Sequence, residues 1–255
     1  MHEITNINDP LIKEFISLRQ SSLSDEHVVI ESKNVFNKLF KKNIKIHKIF
    51  ITIDNLSFVE ENYPNINFPI YVASAELMKQ IVGHKIHQGI LAMIDKPSFI
   101  NFNEIHGNVV VLNGLTSPEN VGSIVRSCAA FNIKTVIIDE KTCSPFLRRC
   151  IRVSTGNIFN INIYKSSDLK NDLIRLKNSG YCISTTANAQ NAKSLENYVF
   201  PKKSAVIIGN EGFGVDKEIF ELSDNILKID IDEEVTSLNA AIATSIILFQ
   251  LSKFN

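Results

Sequence analysis

Residues 113–133, NGLTSPENVGSIVRSCAAFNI, decide the fold prediction because they join an apolar strand to an amphipathic helix. The preceding run, Val109 to Leu112, is typical of a strand buried on both faces of a parallel sheet. From Val121 to Phe131 the apolar residues fall on one helical stripe. Asn120 and Arg126 stand six residues apart here and are candidate functional side chains.

Two further polar loops follow apolar segments. Residues 209–214, GNEGFG, come after a strand predicted at 205–208, and residues 236–239, TSLN, open a helix predicted at 238–251. Ligands of open α/β sheets collect beyond the carboxyl ends of the strands. We therefore expect the three loops to converge on one pocket, which favours an enzyme.

The remaining pattern predicts an α/β fold in two domains. Residues 1–96 read as a small α/β domain, residues 97–107 as a linker, and residues 108–255 as a domain with a parallel sheet. In the first domain, helices are predicted at 10–19, 33–40, 56–62 and 75–82, and strands at 27–30, 46–52, 70–73 and 90–94. The second domain has predicted strands at 109–112, 135–138, 161–164, 181–185, 205–208 and 226–231.

Composition limits the class of protein. No apolar run approaches the roughly 20 residues that a membrane helix needs, and the first residues, MHEI, do not resemble a secretory signal, so we expect a cytoplasmic protein. The four cysteines have no CxxC spacing and the histidines are not clustered along the chain. The sequence therefore predicts neither a zinc site nor a disulfide framework, but small buried or half-buried thiols.

Charge is distributed unevenly although the formal net charge is zero. Residues 32–53 contain six lysines, one histidine and no acid. One interpretation is a solvated helix face followed by a strand. The other is contact with nucleic-acid phosphates, for which Lys41, Lys42 and Lys45 are the candidates.

The three loops, in this order, resemble the three motifs of the SpoU-type (TrmH-like) RNA 2′-O-ribose methyltransferases of the SPOUT superfamily. The run SPFLRR at 144–149, continuing to RVSTG at 152–156, resembles the family's segment between motifs one and two. The resemblance implies a trefoil knot in the C-terminal domain, a homodimer packed near the cofactor site, and an N-terminal RNA substrate-binding domain. That last match rests on Val29-Ile30-Glu31 and His87-Gln88-Gly89.

The resemblance also implies S-adenosylmethionine as cofactor and assigns roles to residues. A ribose 2′-hydroxyl is a weak nucleophile, so its oxygen must be stabilised as negative charge develops. The motif-one arginine matches Arg126, and because arginine is effectively never deprotonated we assign it electrostatic activation. The other predicted catalytic residues are Asn120, Glu211, Ser237 and Asn239. The predicted cofactor-binding residues are Thr186, Gly209, Gly212, Ile229 and Leu238, and the RNA-binding residues are Lys41, Lys42, Lys45, Arg148, Arg149 and Arg152.

Simpler interpretations of the same residues stay open. Arg126 is equally typical of a helix surface, Asn120 of a helix N-cap, and Glu211 of a carboxylate that accepts backbone hydrogen bonds in a glycine turn. Ser237 and Asn239 also fit a helix start. The glycine spacing is neither a dinucleotide fingerprint nor a phosphate loop, so a nucleotide-dependent enzyme has no motif to support it.

Three departures from the family pattern stand out. Ser117-Pro118 replaces Asp-Pro, Ile229-Asp230 replaces Ile-Pro, and Asn132 replaces a glycine but tolerates left-handed backbone angles. We expect ribosomal RNA as substrate, because a separate N-terminal domain is present, and a transfer RNA 2′-O-methyltransferase is the alternative. The rival hypothesis is a noncatalytic RNA-binding protein of the same fold.

Overall fold

The computed structural model of the chain describes residues 1–16, 26–64, 66–82, 89–187, 189 and 191–254. The chain divides into two compact units, Met1–Pro97 with Phe146–Gly156, and Ser98–Pro145 with Asn157–Asn255. The sequence prediction assigned residues 146–156 to the C-terminal domain. The end of the helix predicted at 10–19 and the pair His87-Gln88 lie outside the described residues.

The first unit is a small α/β layer around a five-stranded sheet. Its strands follow the order β1-β4-β3-β5-β2, and β5 runs antiparallel to both of its neighbours. The helices and strands predicted between residues 27 and 95 are confirmed to within one residue at each end. The elements are β1 (His2–Glu3), α1 (Lys13–Ile16), β2 (His27–Glu31), α2 (Lys33–Lys41), β3 (Ile46–Thr52), α3 (Leu56–Asn62), β4 (Ile70–Ala73), α4 (Ala75–Val82) and β5 (Ile90–Asp95).

The second unit is built on a seven-stranded sheet in the order β10-β12-β9-β11-β6-β7-β8. All of its strand pairs are parallel, which confirms the predicted parallel sheet. The elements from residue 98 onward are β6 (Val109–Asn113), α5 (Pro118–Ala130), β7 (Thr135–Ile138), α6 (Arg148–Val153), β8 (Asn162–Lys165), α7 (Leu169–Asn178), β9 (Cys182–Thr186), β10 (Lys193–Ser194), β11 (Ser204–Gly209), α8 (Lys217–Phe220), β12 (Asn225–Lys228) and α9 (Ala240–Ser252). Helix α6 belongs to the first unit. The trefoil knot stays a prediction.

Burial explains why the central strands form. Every residue of β6 is buried, as are five of the six residues of β11, so both strands are covered on both faces as parallel strands usually are. Strand β12 ends at Lys228 and not at the predicted Ile231, because Ile229 and Ile231 leave the sheet to line a pocket.

Helix α5 begins at Pro118, three residues before the predicted start. The Ser117 hydroxyl accepts a hydrogen bond from the Asn120 backbone N–H at 3.3 Å, and proline suits the first helical position. Beyond the helix, Asn132 adopts a φ of 61°, so the left-handed turn expected from the sequence is confirmed. The predicted linker, 97–107, contains a short 3₁₀ turn at Phe102–Glu104.

No helix in the described ranges combines the length and the apolar character that a membrane crossing requires. The four cysteines are free thiols, with Cys128 and Cys150 buried and Cys143 and Cys182 half-buried. Burial raises the pKa of the Cys128 thiol. The predicted buried or half-buried thiols are confirmed.

Candidate active site

A pocket of about 380 Å³ lies in the second unit, where β9, β11 and β12 end. Thr186 and Gly209, the last residues of β9 and β11, contribute to its wall. Most of the remaining surface is apolar and comes from side chains such as Ile229, Leu238 and Ile247. A volume in this range is typical of sites for small ligands and cofactors.

The glycine-rich loop 209–214 is a tight turn closed by its own backbone. Asn210 and Gly214 exchange two backbone hydrogen bonds of 2.9 Å each. The Asn210 side-chain oxygen accepts from the N–H groups of Gly212 and Phe213, at 2.8 and 3.1 Å. Its Nδ2 donates to the Gly114 carbonyl at 2.7 Å, so the loop after β11 is fastened to the loop after β6.

Three side chains form a directional chain of hydrogen bonds beside the pocket. Asn239 caps α9, and its Oδ1 accepts from the backbone N–H groups of Ala241 and Ile242. Because these bonds fix the orientation of the Asn239 amide, its Nδ2 points to Asn120 and donates to Asn120 Oδ1 at 2.9 Å. Asn120 Nδ2 in turn donates to Glu211 Oε1. Each amide fixes the orientation of the next, so the Glu211 carboxylate is held in place at the pocket wall.

The hydrogen bonds of Asn120 and Glu211 bear on the simpler interpretations of these two residues, and their catalytic roles stay predictions. Ser117 caps α5, so the proposal that Asn120 acts as the N-cap is wrong and its amide is available for Glu211 and Asn239. The Ser117-Pro118 departure therefore keeps a capping residue at this position. In the glycine turn the backbone donors bond to Asn210 and not to Glu211. Asn239 is a helix cap, as the simpler interpretation held, and also part of this chain.

A second network, which the sequence reasoning missed, joins the ends of β6 and β7 to the residue before α8. Asn113, the last residue of β6, donates from Nδ2 to both Asp139 and Asp216, at 2.9 and 3.1 Å, and its Oδ1 accepts from the Asp216 backbone N–H at 2.8 Å. Hydrogen bonds from Lys141 and Asn113 lower the pKa of Asp216. The signal available in the sequence was the position of Asn113 at the carboxyl end of a strand.

The predicted cofactor-binding residues are placed unequally. The pocket lining contains Thr186, Gly209, Ile229 and Leu238, whereas Gly212 is absent from it among the described residues. Asp230, the other departure in this region, turns away to accept a hydrogen bond from Ser194 and to pair with Lys228 at 3.1 Å. The Ser194 hydrogen bond is the main reason that the pKa of Asp230 is lowered.

The predicted catalytic residues divide into two groups. Glu211, Ser237 and Asn239 line the pocket, and Asn120 reaches it through its bond to Glu211. Arg126 lies further along α5, on its exposed side, and is not part of the lining that the structure describes. Arg126 follows Asn120 by six helical residues, so the two positions are roughly 9 Å apart along the helix axis and about 120° apart around that axis.

The predicted RNA-binding cations also divide. Lys41, Lys42, Lys45 and Arg149 are exposed. The other two arginines approach one buried carboxylate within the first unit, with Arg148 Nε 3.8 Å and Arg152 Nη1 3.7 Å from Glu31 Oε2. Burial lowers the pKa of Arg148. These two arginines therefore help to fasten α6 to β2, which makes them weaker candidates for RNA contact than the lysines.

Comparison with known proteins agrees with this fold. The model of the SpoU rRNA Methylase family matches residues 107–249. The chain is 24% identical over 265 residues to an uncharacterized tRNA/rRNA methyltransferase of Mycobacterium bovis, with 99% of this chain and 92% of that protein aligned.

Two solved structures share the fold over nearly the whole chain. The AdoMet-bound rRNA methyltransferase from Sinorhizobium meliloti aligns with a TM-score of 0.82 at 20% identity, covering 98% of this chain and 97% of that one. An RNA 2′-O ribose methyltransferase aligns with the same TM-score and identity, covering 99% and 98%. The chain thus shares the α/β fold of these proteins, with a pocket at the carboxyl edge of its parallel sheet. The chain belongs to the SpoU family of RNA methyltransferases.

Proposed function

We propose that this protein is an S-adenosylmethionine-dependent RNA 2′-O-ribose methyltransferase. The observation that carries the proposal is the pocket wall, where Glu211 and Asn239 stand at the two ends of the hydrogen-bonded chain through Asn120. A polar, oriented wall beside an apolar cavity suits a site in which a nucleoside and a polar reactant meet. The RNA 2′-O ribose methyltransferase of the same fold supports the same reaction.

The pocket residues fit the cofactor in size and chemistry. Ile229 and Leu238 offer apolar surface for an adenine ring, and the Thr186 hydroxyl offers a polar contact. Because Gly209 has no side chain, its main chain lines the pocket directly. When bound, S-adenosylmethionine supplies an electrophilic methyl group on its sulfonium. The AdoMet found in the S. meliloti structure supports this assignment.

The chain's own residues orient the acceptor and stabilise its charge. The Glu211 carboxylate, fixed by Asn120, is available to accept a hydrogen bond from a hydroxyl that enters the pocket. The Arg126 guanidinium can hold a phosphate bidentately and direct an N–H group to the ribose oxygen. That donor stabilises the negative charge that grows on the oxygen during methyl transfer.

A homodimer is part of the proposal, because α9 presents an apolar stripe on its outer face. Ile242, Ile246 and Phe249 are 56%, 39% and 54% exposed and recur at helical spacing. The opposite side of the same helix lines the pocket through Ile247. A second copy that covered the stripe would pack next to the cofactor site. Helix α5, which carries Arg126, packs against α9, with the Ser127 and Ser245 hydroxyls 2.8 Å apart.

We test the reaction in two measurements. Calorimetric titration should give saturable binding of S-adenosylmethionine and none of ATP. Incubation with ribosomal and transfer RNA lacking the modification should then yield a 2′-O-methylated nucleoside, identified by mass spectrometry after digestion. A methylated base in place of a methylated ribose would refute the reaction type, and methyl transfer only to transfer RNA would replace our expectation of a ribosomal substrate.

The first 96 residues are proposed to bind the RNA substrate through the exposed lysines. Replacing Lys41, Lys42 and Lys45 together with alanine should weaken RNA binding and reduce the slope of log affinity against log salt by about 2, since each phosphate contact on single-stranded RNA contributes roughly 0.7. Filter binding at several salt concentrations measures both quantities. The control is alanine at Lys134, Lys170 and Lys202, exposed lysines of the second unit that remove the same charge. An equal change of slope in both triple variants would remove residues 41–45 from the interface.

A further inference from the structure

Three adjacent strands of the first unit bring two imidazoles and a carboxylate together at one end of the sheet. His27 opens β2 and is paired directly with Asp95, the last residue of β5. His47 comes from β3, the other neighbour of β5. One ligand atom from each residue lies within 4.8 Å of the other two. These residues are far apart in sequence, which is why histidine spacing predicted no such cluster.

The local backbone explains the convergence. The register between β3 and β5 shifts between Ile46 and Lys48, so His47 is the extra residue of a β-bulge. A bulge bends its strand and redirects the side chain of the extra residue. The His47 Nε2 atom lies 2.6 Å from Asp95 Oδ1, and His27 Nε2 lies 3.7 Å from the same oxygen. The two rings meet edge to face, with centroids 4.7 Å apart.

The donor set and its spacing suit a metal ion of intermediate softness. Zinc binds imidazole nitrogen and carboxylate oxygen at about 2.0–2.2 Å in tetrahedral geometry, so its ligands stand roughly 3.3 Å from one another. The distances from Asp95 Oδ1 to the two imidazole nitrogens, 2.6 and 3.7 Å, bracket that value. Small side-chain rotations would therefore place the three donors around one ion.

We propose that His27, His47 and Asp95 bind one zinc ion through three protein ligands, with water completing the coordination. The side chains are 31%, 24% and 55% exposed, so an ion reaches them from solvent without opening the core. The charge of Lys45 acts on Asp95 and opposes a dication, so the affinity should be lower than that of a closed, cysteine-rich site.

A bound ion would join the neighbouring strands β2, β3 and β5. The same unit carries the exposed lysines Lys41, Lys42 and Lys45. Because the unfolded chain does not hold these three ligands together, binding should stabilise the folded state in proportion to the logarithm of the zinc concentration above its dissociation constant. The site is chemically separate from the proposed methyl transfer. A protein that binds no zinc and a protein that methylates no RNA would therefore refute two different proposals.

The test is calorimetric titration of the metal-stripped full-length protein with zinc chloride, followed by thermal unfolding at several zinc concentrations. We expect a site of one equivalent and a rise in Tm with zinc, and no comparable response to magnesium, which prefers oxygen ligands. His47→Ala and Asp95→Asn should each weaken the site by more than the roughly 10–100-fold that loss of a supporting residue costs. His106→Ala removes a histidine of the second unit and should leave zinc affinity unchanged.

The Asp95→Asn variant keeps the shape of the side chain, so it remains informative if His47→Ala does not fold. Zinc binding that is unchanged in both variants would overturn the proposal and assign the ion to other groups. Absence of zinc binding by the folded wild-type protein would overturn it as well, and would leave the cluster as a histidine–aspartate hydrogen bond. S-adenosylmethionine binding, measured in the same samples, should not depend on either substitution.

Discussion

Replacing Arg126 with alanine should lower the rate of RNA methylation by on the order of 10²–10³, the loss typical when one donor to a developing oxyanion is removed. The affinity for S-adenosylmethionine should stay within about twofold, since a contact made only in the transition state affects the rate and not ground-state binding. The structure supports this separation because Arg126 lies on the exposed side of α5, outside the described pocket lining.

The measurement pairs single-turnover methylation with calorimetric titration of the cofactor. Lys134→Ala is the matched control, since it removes an exposed cation of the same unit, just before β7, and should change neither quantity. Arg126→Lys keeps the charge but loses the planar fork, so it should recover only part of the rate if bidentate phosphate contact matters. A parallel fall in cofactor affinity, or an unchanged rate of methylation, would contradict the role assigned to Arg126. Absence of RNA methylation by the wild-type protein would favour the noncatalytic hypothesis.

Much of the fold could be predicted from local sequence pattern. Buried parallel strands such as β6 and β11 are continuous apolar runs, and between residues 27 and 95 the alternation of short elements fixed each boundary to within one residue. The prediction that the loops would meet at one pocket needed only their positions after predicted strands. The glycine loop and residues 236–239 do line one pocket, and the first turn of α5 is linked to it through the hydrogen bond from Asn120 to Glu211.

The missed features depend on partners that are distant in sequence. Asn113 became important only because Asp139 and Asp216 reach it from the ends of other elements. The two-residue strand β10 is too short to carry a period, and it forms because it pairs with β12. The capping role given to Asn120 was wrong for a local reason, since Ser117 with the following proline starts the helix earlier.

The residue that caps α5 also affects the candidate active site. If Asn120 capped α5, its Oδ1 would have to face the backbone N–H groups at the start of that helix, which would fix the amide in a different orientation. Because Ser117 takes that role, both ends of the Asn120 amide bond to side chains, and the first turn of α9 is linked to the glycine loop. The orientation of Glu211 thus depends on helix starts in two separate motifs.

The second large effect should come from Gly209→Ala, which we expect to abolish measurable S-adenosylmethionine binding and to lower Tm. A Cβ at this position would lie 2.4 Å from the Gly214 carbonyl carbon and 2.5 Å from the Val215 nitrogen. These are backbone atoms held by the paired hydrogen bonds between Asn210 and Gly214, so they cannot move without opening the turn. Forced overpacking of this kind usually costs about 1–3 kcal/mol.

Gly212→Ala is the matched control within the same loop. There a Cβ would have Asn210 Oδ1 at 3.5 Å as its nearest neighbour, an ordinary contact, and neither glycine has a left-handed φ. At such a compatible position alanine is tolerated or stabilises by about 0.4–1 kcal/mol, because it restricts the unfolded chain. We therefore expect Gly212→Ala to bind the cofactor nearly as the wild type does, although the sequence assigned both glycines to the cofactor site.

Calorimetric titration and thermal unfolding of the two variants separate packing from ligand contact. Loss of binding in Gly209→Ala alone would mean that the closed turn, tied to Gly114 through Asn210, is what shapes the pocket. Equal loss in both variants would mean that the ligand approaches the loop tip closely enough for any side chain at residue 212 to obstruct it. Full binding by Gly209→Ala would contradict the structure of the turn itself, because no rotamer can remove a Cβ from the Gly214 backbone.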